Sequence, residues 1–122
     1  MKIVIETVPH DKQRYDTVGD WWIDPDGTWQ IRVSEMKSGD FEFLVGLHEM
    51  VELALCLKHG ISAEHVDQFD KNWKEHSGII EPGDDMSAPY FQEHQLASGI
   101  ERTVAASMAV NWVYYNECVE AL

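Results

Sequence analysis

Positively charged residues are scarce in this 122-residue sequence. It contains 9 Lys and Arg against 22 Asp and Glu, which gives a net charge of -13 with neutral histidines. Proteins that bind the phosphate backbone of nucleic acids or anionic lipid surfaces draw much of their affinity from Lys and Arg. We therefore expect neither a nucleic acid nor a membrane as a partner.

Cysteines and long apolar runs are also rare. Cys56 and Cys118 have no CxxC spacing, and no segment approaches the ~18 consecutive apolar residues of a membrane span. Residues 1–8 are too short for a secretory signal. We interpret both cysteines as buried thiols in a reducing compartment, so these absences predict a cytoplasmic protein.

The first third of the chain predicts strands. Residues 2–8 are rich in β-branched side chains, and residues 21–23 and 28–33 flank the turn signal Asp24-Pro25-Asp26-Gly27. Hydrophobic residues make up 44% of the chain and aromatic residues 11%, so the chain can bury a core despite its charge. We expect a hairpin and one further strand.

The remaining two thirds change to helical spacing. The pattern predicts a central helix over 41–58, a second over 62–77, and a last over 89–120 that breaks near 109–111. The length suits one hydrophobic core, so we predict a single domain over residues 1–122. Its predicted class is α+β, with a small antiparallel sheet of about three strands packed against three helices.

The central helix carries a candidate metal site. His48 and Glu52 lie one turn apart on the same helix face, with Glu49 to one side. The segment His48-Glu49-x-x-Glu52 differs from the zinc motif HExxH by a carboxylate in place of the second histidine. Carboxylates are accepted zinc ligands, but the added negative charge makes a metal-bound water less acidic. The pattern predicts Zn²⁺ on His48 and Glu52, with Glu49 as the general base.

A third ligand has to come from elsewhere in the chain. His94 on the last helix is the first candidate, and it would leave an open fourth position for water. Glu93 beside it is the second candidate. The acidic loop with Asp84-Asp85, and also His10 and His76, stay open because separation in sequence does not give distance in a folded domain. The competing interpretation is that the acidic helix face is simply solvated.

Asp67 and Asp70 on the following helix form a second carboxylate pair. Together with Glu49 and Glu52 they make an ExxE and DxxD arrangement that can hold Mg²⁺ or Mn²⁺ through oxygen ligands. This pattern resembles the all-helical nucleotide pyrophosphohydrolases, so a magnesium-dependent enzyme of that class is the alternative hydrolase. A solvated face is again the competing interpretation.

The order of strand, short connection and HExx helix resembles zincin-like metallopeptidases. It is similar in particular to the small cytoplasmic zincins of phages and mobile elements that cleave repressors. Residues 28–34 and 43–49 carry this resemblance. Residues 90–97, followed by Ala105-Ala106, resemble the later helix that supplies the third ligand in those proteins.

The resemblance implies a zinc-dependent peptidase. By it, His48 and Glu52 take the first two ligand positions, Glu49 is the general base, and His94 or Glu93 is the third ligand. The resemblance also implies that the strand before the helix aligns an extended peptide or protein substrate. Glu52 stands where the family has a histidine. The resemblance is therefore also compatible with a degenerate member that binds a protein partner without cleaving it.

The whole chain also looks like a group of small phage and prophage proteins. It shares with them the Gly-Asp-Trp-Trp, His-Glu-x-x-Glu and Pro-Gly-Asp-Asp segments. This resemblance implies a phage-encoded metal-binding protein in the host cytoplasm. A non-enzymatic acidic factor that binds a basic host protein is the third interpretation, because the net charge steers such a partner toward it.

Overall fold

The computed structural model describes residues 1–122 and contains three strands and four α-helices. The strands are β1 (Ile3–Val8), β2 (Gly19–Ile23) and β3 (Trp29–Ser34). The helices are α1 (Gly39–Lys58), α2 (Ala63–Asn72), α3 (Phe91–Ser107) and α4 (Trp112–Glu120), and two 3-10 turns cover His10–Lys12 and Pro82–Asp84. The predicted α+β class is confirmed.

The sheet is mixed, with the strand order β1-β3-β2. β2 and β3 form the predicted antiparallel hairpin, and Gly27 in its turn has a φ of 87°, which glycine adopts without strain. β1 runs parallel to β3, where we expected an antiparallel strand. The segment between β1 and β2 carries the chain to the opposite edge of the sheet, so no tight turn fixes the direction of β1.

The central helix α1 packs against both the sheet and α3. Its N-terminus is capped by Ser38, whose hydroxyl accepts a hydrogen bond from the backbone N–H of Phe41. Gly46 lets the helix approach β1, since a Cβ there would lie 3.3 Å from a methyl group of Ile5. The buried core comprises Trp21, Ile31, Val33, Phe41, Leu44, Val45, Leu53, Cys56, Val66, Ala88, Tyr90, Ala105 and Tyr115.

The later helices differ from the prediction in length and number. The second helix ends at Asn72 because Trp73 adopts an extended backbone, and the indole Nε1 of Trp73 donates to Asp85 Oδ2 at 2.9 Å. The predicted break in the last helix is confirmed. Ala109 has a φ of 56°, and the side chain of Asn111 caps the N-terminus of α4. Four helices form where we expected three.

Both cysteines are free thiols. Cys56 is buried as predicted, and Cys118 is half-buried. None of the helices combines the length and the apolar character that crossing a membrane requires.

Candidate metal centre

Three side-chain atoms converge in the buried interface between α1 and α3. His48 Nε2 lies 3.2 Å from Glu52 Oε2 and 3.1 Å from His94 Nδ1, and the latter two atoms are 2.9 Å apart. In a tetrahedral zinc site with bonds of ~2.0–2.2 Å, neighbouring ligand atoms are about 3.3 Å apart. The triangle therefore has nearly the dimensions of one face of a zinc site.

The local sequence explains why these side chains meet. His48 and Glu52 are one turn apart on α1 and project from the same helix face. His94 lies in the first turn of α3, which packs beside α1. Its imidazole rests against Gly83 in the second 3-10 turn, where a Cβ would lie 2.4 Å from His94 Nδ1. A residue other than glycine would displace this ring.

The other ring nitrogen of His48 faces a carboxylate. His48 Nδ1 lies 2.8 Å from Glu101 Oε1, and Tyr115 donates its hydroxyl to Glu101 Oε2 at 2.6 Å. A hydrogen bond from Nδ1–H to a carboxylate fixes the tautomer whose Nε2 lone pair can bind a metal. Sequence reasoning missed Glu101 and its contact with Tyr115. The sequence does place Glu101 two helical turns after His94, on the same face of α3, and this spacing could have predicted that both lie near His48.

A tryptophan positions the carboxylate of Glu52. Trp21 on β2 donates its indole N–H to Glu52 Oε1 at 3.0 Å. The other oxygen, Oε2, is the one that contacts His48 and His94. Trp21 is only 4% exposed, so this core side chain both fills the interior and orients a candidate ligand.

The carboxylates around the cluster favour positive charge on both histidines. Burial by itself lowers the pKa of His48, but hydrogen bonds to Glu101 and Glu52 raise it to about 10. Burial is likewise outweighed by Asp84 and Glu52 at His94, whose pKa rises to about 12. Burial favours a higher pKa for Glu52, whereas its contacts with the two histidines lower this pKa to about 2. The cluster attracts a cation, and a metal has to displace protons to bind.

Glu49 lies next to the three converging side chains but is not a member of their ligand group. It is half-buried, and its side chain packs against Gly19 on β2, where a Cβ would lie 2.6 Å from Glu49 Oε1. Burial and the negative charge of Glu52 raise the pKa of Glu49 well above its ordinary value. Glu49 therefore holds a proton at higher pH than an exposed glutamate does.

The cluster opens into a strongly acidic cleft of about 1020 Å³. Eleven Asp and Glu residues line this cleft, and Lys71 is the one Lys or Arg among its lining residues. The edge strand β2 forms part of the wall next to Glu49. A cation or a positively charged substrate is therefore favoured in this space.

The other candidates for a third ligand lie outside the cluster. Glu93 contacts His59 instead, with His59 Nδ1 2.8 Å from Glu93 Oε2. Side chains of adjacent helical residues differ in direction by about 100°. Glu93 therefore contacts His59, while His94 beside it contacts His48 and Glu52. His76 and Asp85 contact each other at 2.8 Å, and His10 lies in the 3-10 turn after β1.

The four carboxylates of the alternative magnesium set are not gathered into one ligand group. Asp67 forms an ion pair with Arg14, with Oδ2 and Nη2 3.0 Å apart. Asp70 accepts hydrogen bonds from the hydroxyls of Tyr15 and Tyr90. Both aspartates thus have partners that sequence spacing did not reveal.

Comparison of the chain with protein-family models, with curated proteins and with solved structures finds no match. The geometry and the charge of the site are therefore the basis for inferring function. His48, Glu52 and His94 together can hold a metal ion, and the geometry does not fix which metal.

Proposed function

We propose that the protein is a zinc-dependent hydrolase that acts on a peptide or protein, with the metal held by His48, Glu52 and His94. The observation that carries this proposal is the mutual contact of the three ligand atoms, none more than 3.2 Å from another. If both rings carry two protons, as their raised pKa values favour, His48 Nε2–H and His94 Nδ1–H face each other as two donors. If each ring carries one proton and His48 directs its own toward Glu101, His48 Nε2 and Glu52 Oε2 face each other as two lone pairs. A divalent cation satisfies all three atoms at once.

The residues around the ligands have separate roles in the proposed reaction. Bound Zn²⁺ would supply a Lewis acid that polarises a peptide carbonyl and makes water more acidic. Glu49 would accept a proton from the attacking water and pass it to the leaving amine, a role that its raised pKa suits. Glu101 holds His48 in the orientation that binding requires. Glu52 adds negative charge at the metal, so we expect a slower catalyst than a site with two histidines at these positions.

The edge strand β2 supports an extended peptide as the substrate. The family resemblance pointed to residues 28–34 as the aligning strand, but β3 lies in the middle of the sheet and pairs with a strand on each side. β2 has one edge without a strand partner, and three of its residues line the cleft. An extended peptide can pair with such an edge through backbone hydrogen bonds.

The charge of the cleft also favours a peptide over a nucleotide. The acidic lining repels phosphate groups and attracts Lys and Arg side chains. A substrate with basic residues beside the cleaved bond fits this field best. We therefore expect basic peptides to be cleaved faster than neutral or acidic ones.

Metal analysis combined with a cleavage assay tests the proposal. Protein expressed with added zinc is expected to retain zinc, and His94→Ala is expected to lose it. Zinc-loaded wild type is expected to cleave basic members of a peptide library, as followed by mass spectrometry. Glu49→Gln is expected to keep the zinc and to lose about 10²-fold or more of the rate, since it removes the general base. A metal-free wild type, or equal cleavage by Glu49→Gln, would contradict the proposal.

Variants also separate this proposal from the other two interpretations. A non-enzymatic acidic factor would capture a basic partner equally well after His48→Ala and Glu49→Ala, since such binding depends on the field of the whole surface. A nucleotide pyrophosphohydrolase would require magnesium and would lose activity on Asp67→Asn and Asp70→Asn. We expect neither pattern.

A further inference from the structure

His94 has a second ring nitrogen that the first site does not use. His94 Nε2 is buried and has no hydrogen-bond partner, and the side chain as a whole is only 9% exposed. A buried polar nitrogen without a partner is unfavourable. The groups that face this nitrogen therefore matter.

Two carboxylates face His94 Nε2. Asp84 Oδ1 lies 3.3 Å from this nitrogen and Glu81 Oε2 lies 3.5 Å from it, but neither contact has hydrogen-bond geometry. The ligand atoms of the three residues all lie within 4.8 Å of one another. Gln95 Nε2 also donates to Asp84 Oδ1 at 2.9 Å, which holds this carboxylate in place.

We propose that Glu81, Asp84 and the Nε2 atom of His94 form a second divalent-cation site, so that His94 bridges two cations. The second site rests on the metal binding in the proposed function, but not on the hydrolase activity. One imidazole nitrogen and two carboxylates suit Zn²⁺ or Mn²⁺. Glu81 and Asp84 are 43% and 45% exposed, so water can complete the coordination.

The balance of charge around the two histidines supports a second cation. The nearby carboxylates are those of Glu49, Glu52, Glu81, Asp84 and Glu101. The ion pairs that Arg14 and Arg32 form involve other carboxylates. A single divalent cation compensates two of these five negative charges, and a second adds one further positive charge net of the proton that it displaces from His94. Because uncompensated buried charge is costly, we expect both sites to fill.

The second cation should bind more weakly than the first. With both ring nitrogens bound to cations, His94 has no N–H proton, so the second cation enters with release of that proton. The first site has three buried ligands, whereas two of the three ligands of the second site face solvent. We therefore expect stepwise filling.

The number of cations bound per chain tests the second site. Metal-stripped protein is dialysed against Zn²⁺ and, separately, Mn²⁺, and the bound metal is counted by mass spectrometry. Wild type is expected to take up two cations, and the double variant Glu81→Gln with Asp84→Asn is expected to take up one. The matched control Glu35→Gln with Glu117→Gln removes the same charge from exposed positions outside the cleft and is expected to take up two.

The outcomes distinguish the second site from the first. One cation in both wild type and the double variant would overturn the second site and leave the proposed function standing. No cation in wild type would overturn both. Loss of a cation in the matched control would show a general effect of charge and would also overturn the second site. His48→Ala is expected to weaken the first site and still bind one cation at the second, and circular dichroism verifies that each variant is folded.

Discussion

Gly83 and His94 show how a single absent side chain shapes the candidate site. The imidazole lies on the backbone of the 3-10 turn, where a Cβ at residue 83 would be 2.4 Å from Nδ1 and 2.5 Å from Cγ of the ring. Gly83 does not have a positive φ. The requirement for glycine at this position is therefore steric and does not come from the backbone conformation. Gly19 likewise leaves room for the side chain of Glu49, since a Cβ there would lie 2.6 Å from Glu49 Oε1.

Gly83→Ala is expected to displace the ring of His94 and to lower zinc affinity about 10- to 100-fold, the range typical of groups that orient a metal ligand. The fold should survive, because alanine is compatible with a 3-10 turn. Competition with a chromophoric chelator measures the affinity. Gly99→Ala is the matched control, since a Cβ there has nothing within 4 Å. Equal affinities for the two variants would show that the ring does not depend on Gly83.

At the scale of secondary-structure elements, α2 is connected to its neighbours through Asp70. This carboxylate accepts hydrogen bonds from Tyr15, in the loop before β2, and from Tyr90, at the start of α3. Burial raises the pKa of Asp70 to about 7, although both hydrogen bonds oppose the rise. The folded protein therefore binds this proton more tightly than the unfolded chain does.

A pKa that is raised on folding makes stability fall as pH increases. The contribution of Asp70 should be fully present below about pH 4, the usual range of an aspartate pKa in an unfolded chain, and should be lost as pH rises through about 7. Asp70→Asn removes this titration. In urea unfolding with the metal chelated, the free energy of unfolding of wild type, relative to that of Asp70→Asn, is expected to decrease steadily from about pH 4.5 to about pH 7.5. Parallel pH profiles would contradict this assignment.

At the scale of the whole molecule, the net charge of -13 is partly localised. The acidic cleft passes between elements that are distant in sequence and contains the candidate metal cluster. Repulsion among its carboxylates opposes folding, and a bound cation relieves that repulsion. Metal binding and folding should therefore be coupled.

Zinc is expected to stabilise the folded protein. At a free concentration 100-fold above the dissociation constant, one bound ion raises the free energy of unfolding by about 2.7 kcal/mol. A thermal melt with and without zinc measures the effect as a rise in Tm. His94→Ala should show no comparable rise, and a zinc response that persists in this variant would place the stabilising ion elsewhere.

The sequence by itself determined the local features. Strand residues around Asp24-Pro25-Asp26-Gly27 predicted the hairpin, and helical spacing predicted α1. The sequence also predicted the break near residue 109 that separates α3 from α4. The spacing of His48 and Glu52 placed two candidate ligands on one face of α1. These features depend on contacts between residues that are close in the chain, so periodicity and turn chemistry suffice to predict them.

The tertiary structure decided what faces each of these elements. It placed His94 against α1 while Glu93 contacts His59, and it brought Glu101 to His48 across the helix interface. It also set β1 parallel to β3 and brought the second 3-10 turn beside α3. A helical pattern gives the direction of a side chain about its own axis but not the element on the other side. Distances between segments depend on how the whole core packs, so only the folded chain could gather these ligands into one site.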